Sequence, residues 1–282
     1  MDNQRLISDI VKEYPDMIKV YIYHNNYLLE KPLKSKKKSQ SQIDHDNQSR
    51  SLRRSQVAVR DIILSNRFDL WCTFTFDSTK HDRYDISRCR YVMTMWLHNQ
   101  KKNHSPKLEY LVVPELHKDG AIHFHALLKN FNGKLKPAHH PKSKKPLTTK
   151  KGQQIFNATG YRSGHTEFVY IDSNYEALSK YMIKQYITKD MLTFKGSQRY
   201  LVSNGLTRPR VTVNGLAMYG LQNLVKGNVP ESINQYFEVQ TFAKSNGTIW
   251  QTNGQTQIVD TEEYTEVTLP KSKLRQLVTF AH

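Results

Sequence analysis

The sequence predicts an α+β fold: a central antiparallel β-sheet flanked by helices. Three observations carry this reading. Segments of strand character alternate with segments of helical periodicity along the chain. The run from Phe68 to Phe76 is dense in aromatic and β-branched residues, the composition of a strand. Lys118-Asp119-Gly120 is a turn signal between two apolar runs, so the chain doubles back there as a β-hairpin.

Taken in order, residues 1–30 read as a short helix followed by a Tyr-rich apolar stretch, Val20 to Tyr23. Residues 31–50 read as a low-complexity linker carrying Lys34, Lys36, Lys37 and Lys38, a run expected to be solvated and mobile. Ser51 to Ser65 turns helical, with Arg53, Arg54 and Arg60 between apolar positions, and Asn66 ends it. After the Phe68–Phe76 strand, Asp85 to His98 has helical spacing of Ile86, Tyr91, Val92, Met95 and Trp96. A strand from Leu108 to Val113 runs on into Pro114, Glu115, Leu116 and His117, and the run Ala121 to Leu128 returns from the turn. Residues 129–152 hold eight lysines and three prolines and are expected to form a loop or a disordered arm. Thr166 to Ile171 is a strand, and Asp172 or Ser173 caps a helix running to about Asp190. More β structure is expected beyond it, at Tyr236 to Phe242 and Tyr264 to Leu269. The chain therefore divides into an N-terminal extension with a basic linker (1–50), a main domain (51–210) and a C-terminal extension (211–282).

The 282 residues carry a net charge of +17 and a pI near 9.7, which points to a polyanionic partner. No apolar run approaches the roughly 20 residues that span a bilayer, and the acidic N-terminal stretch lacks a signal-peptide core, so no membrane association is expected. Two cysteines, Cys72 and Cys89, make neither a disulfide framework nor a zinc finger and fit a reducing cytoplasm.

His123-Phe124-His125 is the most informative stretch. Alternate strand side chains share a face, so the two imidazoles point the same way and Phe124 points into the core. With the carboxylate of Glu115 they form a donor set suited to Mn²⁺, Mg²⁺, Zn²⁺ or Fe²⁺ and leave positions for phosphate oxygens. Register decides whether Glu115 takes part. A two-residue turn would set it opposite Phe124, on the wrong face, whereas a three-residue loop or a bulge near Gly120 restores it. The site thus requires an irregular turn at Asp119-Gly120. His117 follows the alternation of Glu115 and is the reserve ligand. His98, His104, His139 and His140 have no such frame and read as surface residues.

The later helix carries Tyr-x-x-Lys twice, as Tyr181 with Lys184 and Tyr186 with Lys189. Residues i and i+3 share a helix face, so each lysine can sit near its own phenol. A phenol with an ordinary pKa near 10 needs a cation or metal beside it to act as a nucleophile. The two tyrosines are five positions apart, about 140° around the helix, so they cannot both face one metal without a break. Metal, nucleophile and cation together suit cleavage of a phosphodiester.

These residues resemble the HUH superfamily of rolling-circle replication initiators and relaxases. Trp71 to Asp77 matches its Thr-rich strand, His123-Phe124-His125 its His-hydrophobe-His strand, and Tyr186 to Asp190 its single-tyrosine motif, with Tyr181 to Lys184 a second candidate. The basic helix before Asn66 and the segment Arg199 to Leu206 are similar to small plasmid and phage replication proteins of Gram-positive bacteria. The resemblance spans roughly residues 50–210. Two-tyrosine initiators usually space the pair by four; this chain spaces it by five. The resemblance implies a nuclease domain at 51–210 that nicks and rejoins single-stranded or hairpin origin DNA through a 5′-phosphotyrosine link. It implies Mg²⁺ or Mn²⁺ on Glu115, His123 and His125, Tyr186 or Tyr181 as nucleophile, and Lys189 or Lys184 in support. A transposase or conjugative relaxase with the same chemistry, or a non-catalytic nucleic-acid-binding module, are the alternatives. No Gly-x-x-x-x-Gly-Lys-Ser/Thr loop is present, so a host helicase and polymerase are the expected partners, in the cytoplasm of a bacterial host.

Overall fold

The computed structural model describes residues 6–28, 39–172, 174–187, 199–227, 230–233, 237–245, 248–250 and 256–258. These form an α+β chain with two antiparallel sheets and divide into two compact units, residues 1–57 with 208–282, and residues 58–207. No described helix is long and apolar enough to cross a membrane.

In the first unit the segment expected to open with a short helix is instead a strand. β1 (Leu6–Glu13) turns tightly into β2 (Met17–Leu28) and pairs on its other edge with β10 (Arg210–Val213). β2 pairs in turn with β12 (Phe237–Ser245), which meets the strand expected at Tyr236 to Phe242. The short strands β11 (Ser232–Ile233), β13 (Thr248–Trp250) and β14 (Thr256–Ile258) extend this sheet, β11 and β13 on β12 and β14 on β13. The reason for the β1 strand is tertiary. Ile10 and Val11 are adjacent yet both fully buried, and β1 is held on both edges, by β2 and by a partner from the far part of the chain. Val11, Ile18, Val20 and Phe242 make an apolar face covered by Tyr219 and Leu221 beside the short helices α4 (Gly215–Met218) and α5 (Gln222–Gly227). The buried carboxylate of Asp9 accepts from Leu216 N at 2.9 Å and so ties the start of α4 to β1. Segments from both halves of the chain thus share one sheet. Lys34, Lys36, Lys37, Lys38 and the segment Tyr264 to Leu269 lie outside the described residues.

Helix α1 (Gln40–Ser65) starts well before the expected Ser51, so residues 40–50 are helical and not linker. It ends where the sequence places its stop. Asn66 Nδ2 donates to the Ile62 carbonyl at 2.7 Å, and Thr207 Oγ1 donates to the Ser65 carbonyl at 2.8 Å. These bonds satisfy carbonyls that a helix C-terminus leaves open.

The second unit is built on a seven-stranded antiparallel sheet. Its strands are β3 (Leu70–Phe76), β4 (Glu109–Leu116), β5 (Ile122–Lys129), β6 (Leu135–Pro137), β7 (Phe156–Ala158), β8 (Gly164–Tyr170) and β9 (Leu201–Val202). They lie in the order β6-β7-β8-β3-β5-β4-β9. One face is an aromatic core. Phe74 meets Trp96 edge-on at 4.9 Å, Tyr161 at 5.3 Å and Phe168 at 5.6 Å. Trp96 belongs to α2 (Ile86–Asn103), which buries Cys89, Met93, Trp96, Leu97 and Gln100 at helical spacing and is capped by Asp85 accepting from Arg88 N. The helix outlasts the expected end at His98 by more than a turn. Cys72 and Cys89 are free thiols, both buried in this unit.

Residues 129–152, expected as a loop or a disordered arm, are ordered. Their first part is β6, which pairs with β7, and bridges join His139 to Pro146 and Thr148 to Gln154. The strand expected at Thr166–Ile171 begins two residues earlier, at Gly164. Helix α3 (Tyr175–Tyr186) is capped by Asn174, which accepts from Ala177 N at 3.0 Å, rather than by Asp172. Its N-terminal turn is fixed to the entry of β3: Tyr175 donates to the Phe68 carbonyl at 2.8 Å, and Arg67 lies over the Tyr175 ring.

Gly164 shows how closely β8 and β3 are joined. A Cβ there would lie 2.0 Å from the Thr75 carbonyl oxygen and 2.7 Å from Asp77 N, both backbone atoms. Gly164→Ala is therefore expected to lower the unfolding free energy by about 1–3 kcal/mol through forced separation of the strands. Urea unfolding of the two proteins checks this; unchanged stability would contradict the close approach.

Candidate functional site

The hairpin between β4 and β5 sets the site. Leu116 pairs with Ile122, and His117 N donates to the Ala121 carbonyl, so the loop is the three residues Lys118, Asp119 and Gly120. Gly120 N donates to the His117 carbonyl at 2.8 Å and Gly120 takes φ +86°, a conformation that favours glycine. Asp119 Oδ1 accepts from Ala121 N and steadies the turn. This is the irregular turn that the metal reading requires. It sets Glu115 opposite His123 and Pro114 opposite Phe124.

Because residues paired across antiparallel strands share a face, the register defines rows on the face away from the aromatic core. One row reads His165, Thr75, His123, Glu115; the next reads Glu167, Thr73, His125, Val113. Phe124 is fully buried on the other face. Glu115 Oε2 lies 2.6 Å from His125 Nε2, a short charge-assisted contact that puts a proton on that nitrogen. Each histidine is also held from behind. Thr75 Oγ1 lies 3.1 Å from His123 Nδ1, and Thr73 Oγ1 lies 3.3 Å from His125 Nδ1. His117 stacks on His123 with ring centroids 3.8 Å apart.

The local field matches this geometry. Burial, aided by the neighbouring His117 and opposed by Glu115, lowers His123 to about 4, so its imidazole is neutral at pH 7. Burial pushes the Glu115 carboxyl up. The hydrogen bond from His125 and the charges of His125, His117 and His123 outweigh it and hold the group below its ordinary value. Arg83 also acts on His123, and its carbonyl accepts from Ile122 N at the start of β5.

Among the described residues no three His, Cys, Asp or Glu side chains converge as a ready metal cage. Glu115 and His125 instead close on each other around a proton. The donor set is nevertheless of the kind a divalent cation takes: one carboxylate and two imidazoles on one face, each imidazole held through its second nitrogen, as metal-binding histidines usually are.

Helix α3 lies against β4. Tyr181 reaches the site face through Trp71, whose ring is 5.7 Å from Tyr181 and 5.8 Å from His125. Tyr181 is 48% exposed, which argues against a purely packing role, whereas Met182 and Ser179 are buried. Tyr186 is the last residue of α3, one turn after Met182; its side chain, Lys189 and Asp190 lie outside the described residues. Lys184 is exposed in the last turn. His98, His104, His139 and His140 are all exposed, in line with their reading as surface residues.

Sequence reasoning missed the orienting role of Thr73 and Thr75, the bridging role of Trp71, and the pair His165 and Glu167. The last two lie 3.9 Å apart on the same face of β8. All follow a period of two along their strands, the same signal that singled out His123 and His125.

Residues 69–190 match a family of replication-associated proteins of the ORF2 type. The matched span holds the Thr strand, the histidine hairpin and both Tyr-x-x-Lys segments. Over this span the chain is similar to replication-associated proteins, which points to a role in replication initiation. Comparison with curated proteins and with solved structures gives no match.

The Trp71–Tyr181 contact is measurable. A double-mutant cycle with Trp71→Ala and Tyr181→Ala, read by chemical unfolding, is expected to give a coupling of about 0.5–1.5 kcal/mol, typical of paired aromatic rings. A coupling near zero would mean that α3 is not anchored to the site face by these rings.

Proposed function

We propose that the second unit is an HUH-type endonuclease that starts rolling-circle replication by nicking and later rejoining one DNA strand. The observation that carries this reading is the register placing Glu115 opposite His123 on the face where Trp71 links His125 to Tyr181. The match of residues 69–190 to replication-associated proteins agrees with it.

In this reading Glu115, His123 and His125 hold Mg²⁺ or Mn²⁺, which when bound draws charge from the scissile phosphate. His117 is placed to assist, and Thr73 and Thr75 fix the imidazole planes. A phenol of α3, Tyr186 or Tyr181, attacks the phosphorus. The new bond joins the tyrosine oxygen to phosphorus; the bond from phosphorus to the ribose 3′ oxygen breaks. The phenolic proton is released and the 3′ oxygen leaves as a hydroxyl. The phosphodiester energy is kept in the phosphotyrosine, so attack by a 3′-hydroxyl reverses the step and rejoins the strand. Lys189 or Lys184 offsets charge on the phosphate as it builds. Single-stranded or hairpin origin DNA is the substrate, and a host helicase and polymerase extend the freed end.

Two experiments test the reading. Incubation with single-stranded origin DNA and Mn²⁺ is expected to give a denaturation-resistant protein–DNA adduct that EDTA prevents. Tyr186→Phe and Tyr181→Phe, made singly, identify the nucleophile by which of them loses the adduct; an adduct that survives in the double variant would exclude a tyrosine of α3. His123→Ala, in turn, is expected to abolish nicking while leaving salt-sensitive DNA affinity within about twofold, because phosphate contacts by lysine and arginine supply that affinity. Equal loss of nicking and binding in a folded variant would contradict separate roles.

A further inference from the structure

The segment from Lys129 to Gly152 contains eight lysines and no Asp or Glu. It is folded into two tight turns at one edge of the sheet. In the first, His140 N donates to the Lys145 carbonyl and Lys144 N donates to the His140 carbonyl, both at 2.9 Å. The His140 ring closes the turn from inside, its Nδ1 accepting from Lys142 N at 3.3 Å and Ser143 N at 3.2 Å. In the second, Gly152 N donates to the Thr149 carbonyl and Thr149 N to the Gln153 carbonyl, with Gly152 at φ +82°. Gln154 Nε2 donates to the Leu147 and Ile155 carbonyls and locks the two turns together. Their tips are Lys142, Lys144 and Lys145 on one, and Lys150 and Lys151 on the other.

Three features set this arm apart from an ordinary solvated edge. Lys134, Lys136, Lys142, Lys144, Lys145 and Lys150 are exposed, and none has an acidic partner among the described residues. Lys144 adopts φ +56°, a left-handed conformation that glycine or asparagine would take at lower cost. A lysine held there in spite of that cost displays its charge in a fixed direction. Thirdly, no Phe, Tyr or Trp occurs between Asn132 and Ile155. Proteins that hold single strands stack bases on aromatic rings. An ordered, aromatic-free lysine arm suits a polyanion whose bases are turned inward.

We infer that this arm is a clamp for duplex DNA, gripping the phosphate backbone of a stem beside the strand presented to the histidine face. The strand order puts β6 four strand spacings from β5, roughly 19 Å at ~4.8 Å each. That separates the arm from the imidazoles by roughly six base pairs of duplex, at ~3.4 Å each. The inference takes DNA as the polyanion from the nuclease reading and depends on it for nothing else.

The test measures binding of the full chain to two probes, a hairpin with a stem of about ten base pairs and a single-stranded tail, and the tail alone, across a salt series. Lys142→Gln, Lys144→Gln and Lys145→Gln combined are expected to weaken hairpin binding at least tenfold and to lower its salt slope by roughly 0.9 for each phosphate no longer neutralised. Tail binding should stay within twofold. Lys101→Gln, Lys102→Gln and Lys107→Gln, an equal charge removal at exposed positions outside the arm, should leave the preference for the hairpin intact. Lys144→Asn, which suits the left-handed turn, should weaken hairpin binding without lowering Tm, and Lys150→Gln with Lys151→Gln reads the second turn separately. Unchanged hairpin binding, equal weakening on both probes, or an equal effect of the control triple would each overturn the clamp. Covalent adduct formation is a separate readout: an adduct with unchanged hairpin binding sinks the arm alone, and arm-dependent hairpin binding without any adduct sinks the nuclease alone.

Discussion

Everything at the candidate site depends on the register of one hairpin. Side chains on a strand alternate with a period of two, so a slip of one residue would send Glu115 to the aromatic core and leave the histidines without a carboxylate. The three-residue loop Lys118 to Gly120 prevents this, and glycine at positive φ is what lets the loop be three residues long. A single backbone conformation thereby decides which chemistry the sheet face can offer.

The rest of the second unit holds that face still. Phe74, Phe168, Trp96 and Tyr161 pack edge-to-face behind the sheet. The strand that carries Phe74 on one side carries Thr73 and Thr75 on the other, so the same packing that builds the core fixes the hydroxyls that orient the imidazoles. Trp71, two residues before Thr73, passes the constraint on to α3 through Tyr181. The site is thus assembled from three strands and a helix, each tied to the core that backs the sheet.

Charge is segregated within this unit. The site itself mixes one carboxylate with histidines, and its His123 is neutral at pH 7. A concentrated share of the chain's positive charge lies instead on the ordered arm between β6 and β7. Separating a nearly balanced reactive centre from a strongly basic periphery lets long-range attraction gather a polyanion without setting the arm's lysines against the imidazoles.

Sequence periodicity was enough to show the α+β class, the Thr strand, the histidine hairpin with its irregular turn, the helix that carries Trp96 and the exposure of the isolated histidines. All are set by neighbours within a few residues or by the period-two alternation of a half-buried strand. What lay beyond it depended on partners distant in the chain. β1 is a strand because Arg210 to Val213 pairs with it, although its local pattern reads as helical. The lysine arm is ordered because Gln154 and the edge strand β6 tie it down, although its composition reads as disordered. Trp71 bridges His125 and Tyr181 only because α3, far along the chain, returns to the sheet face. Local sequence determines which residues share a face; only the tertiary structure decides which faces meet, because that choice is made by burial between segments that carry no local record of one another.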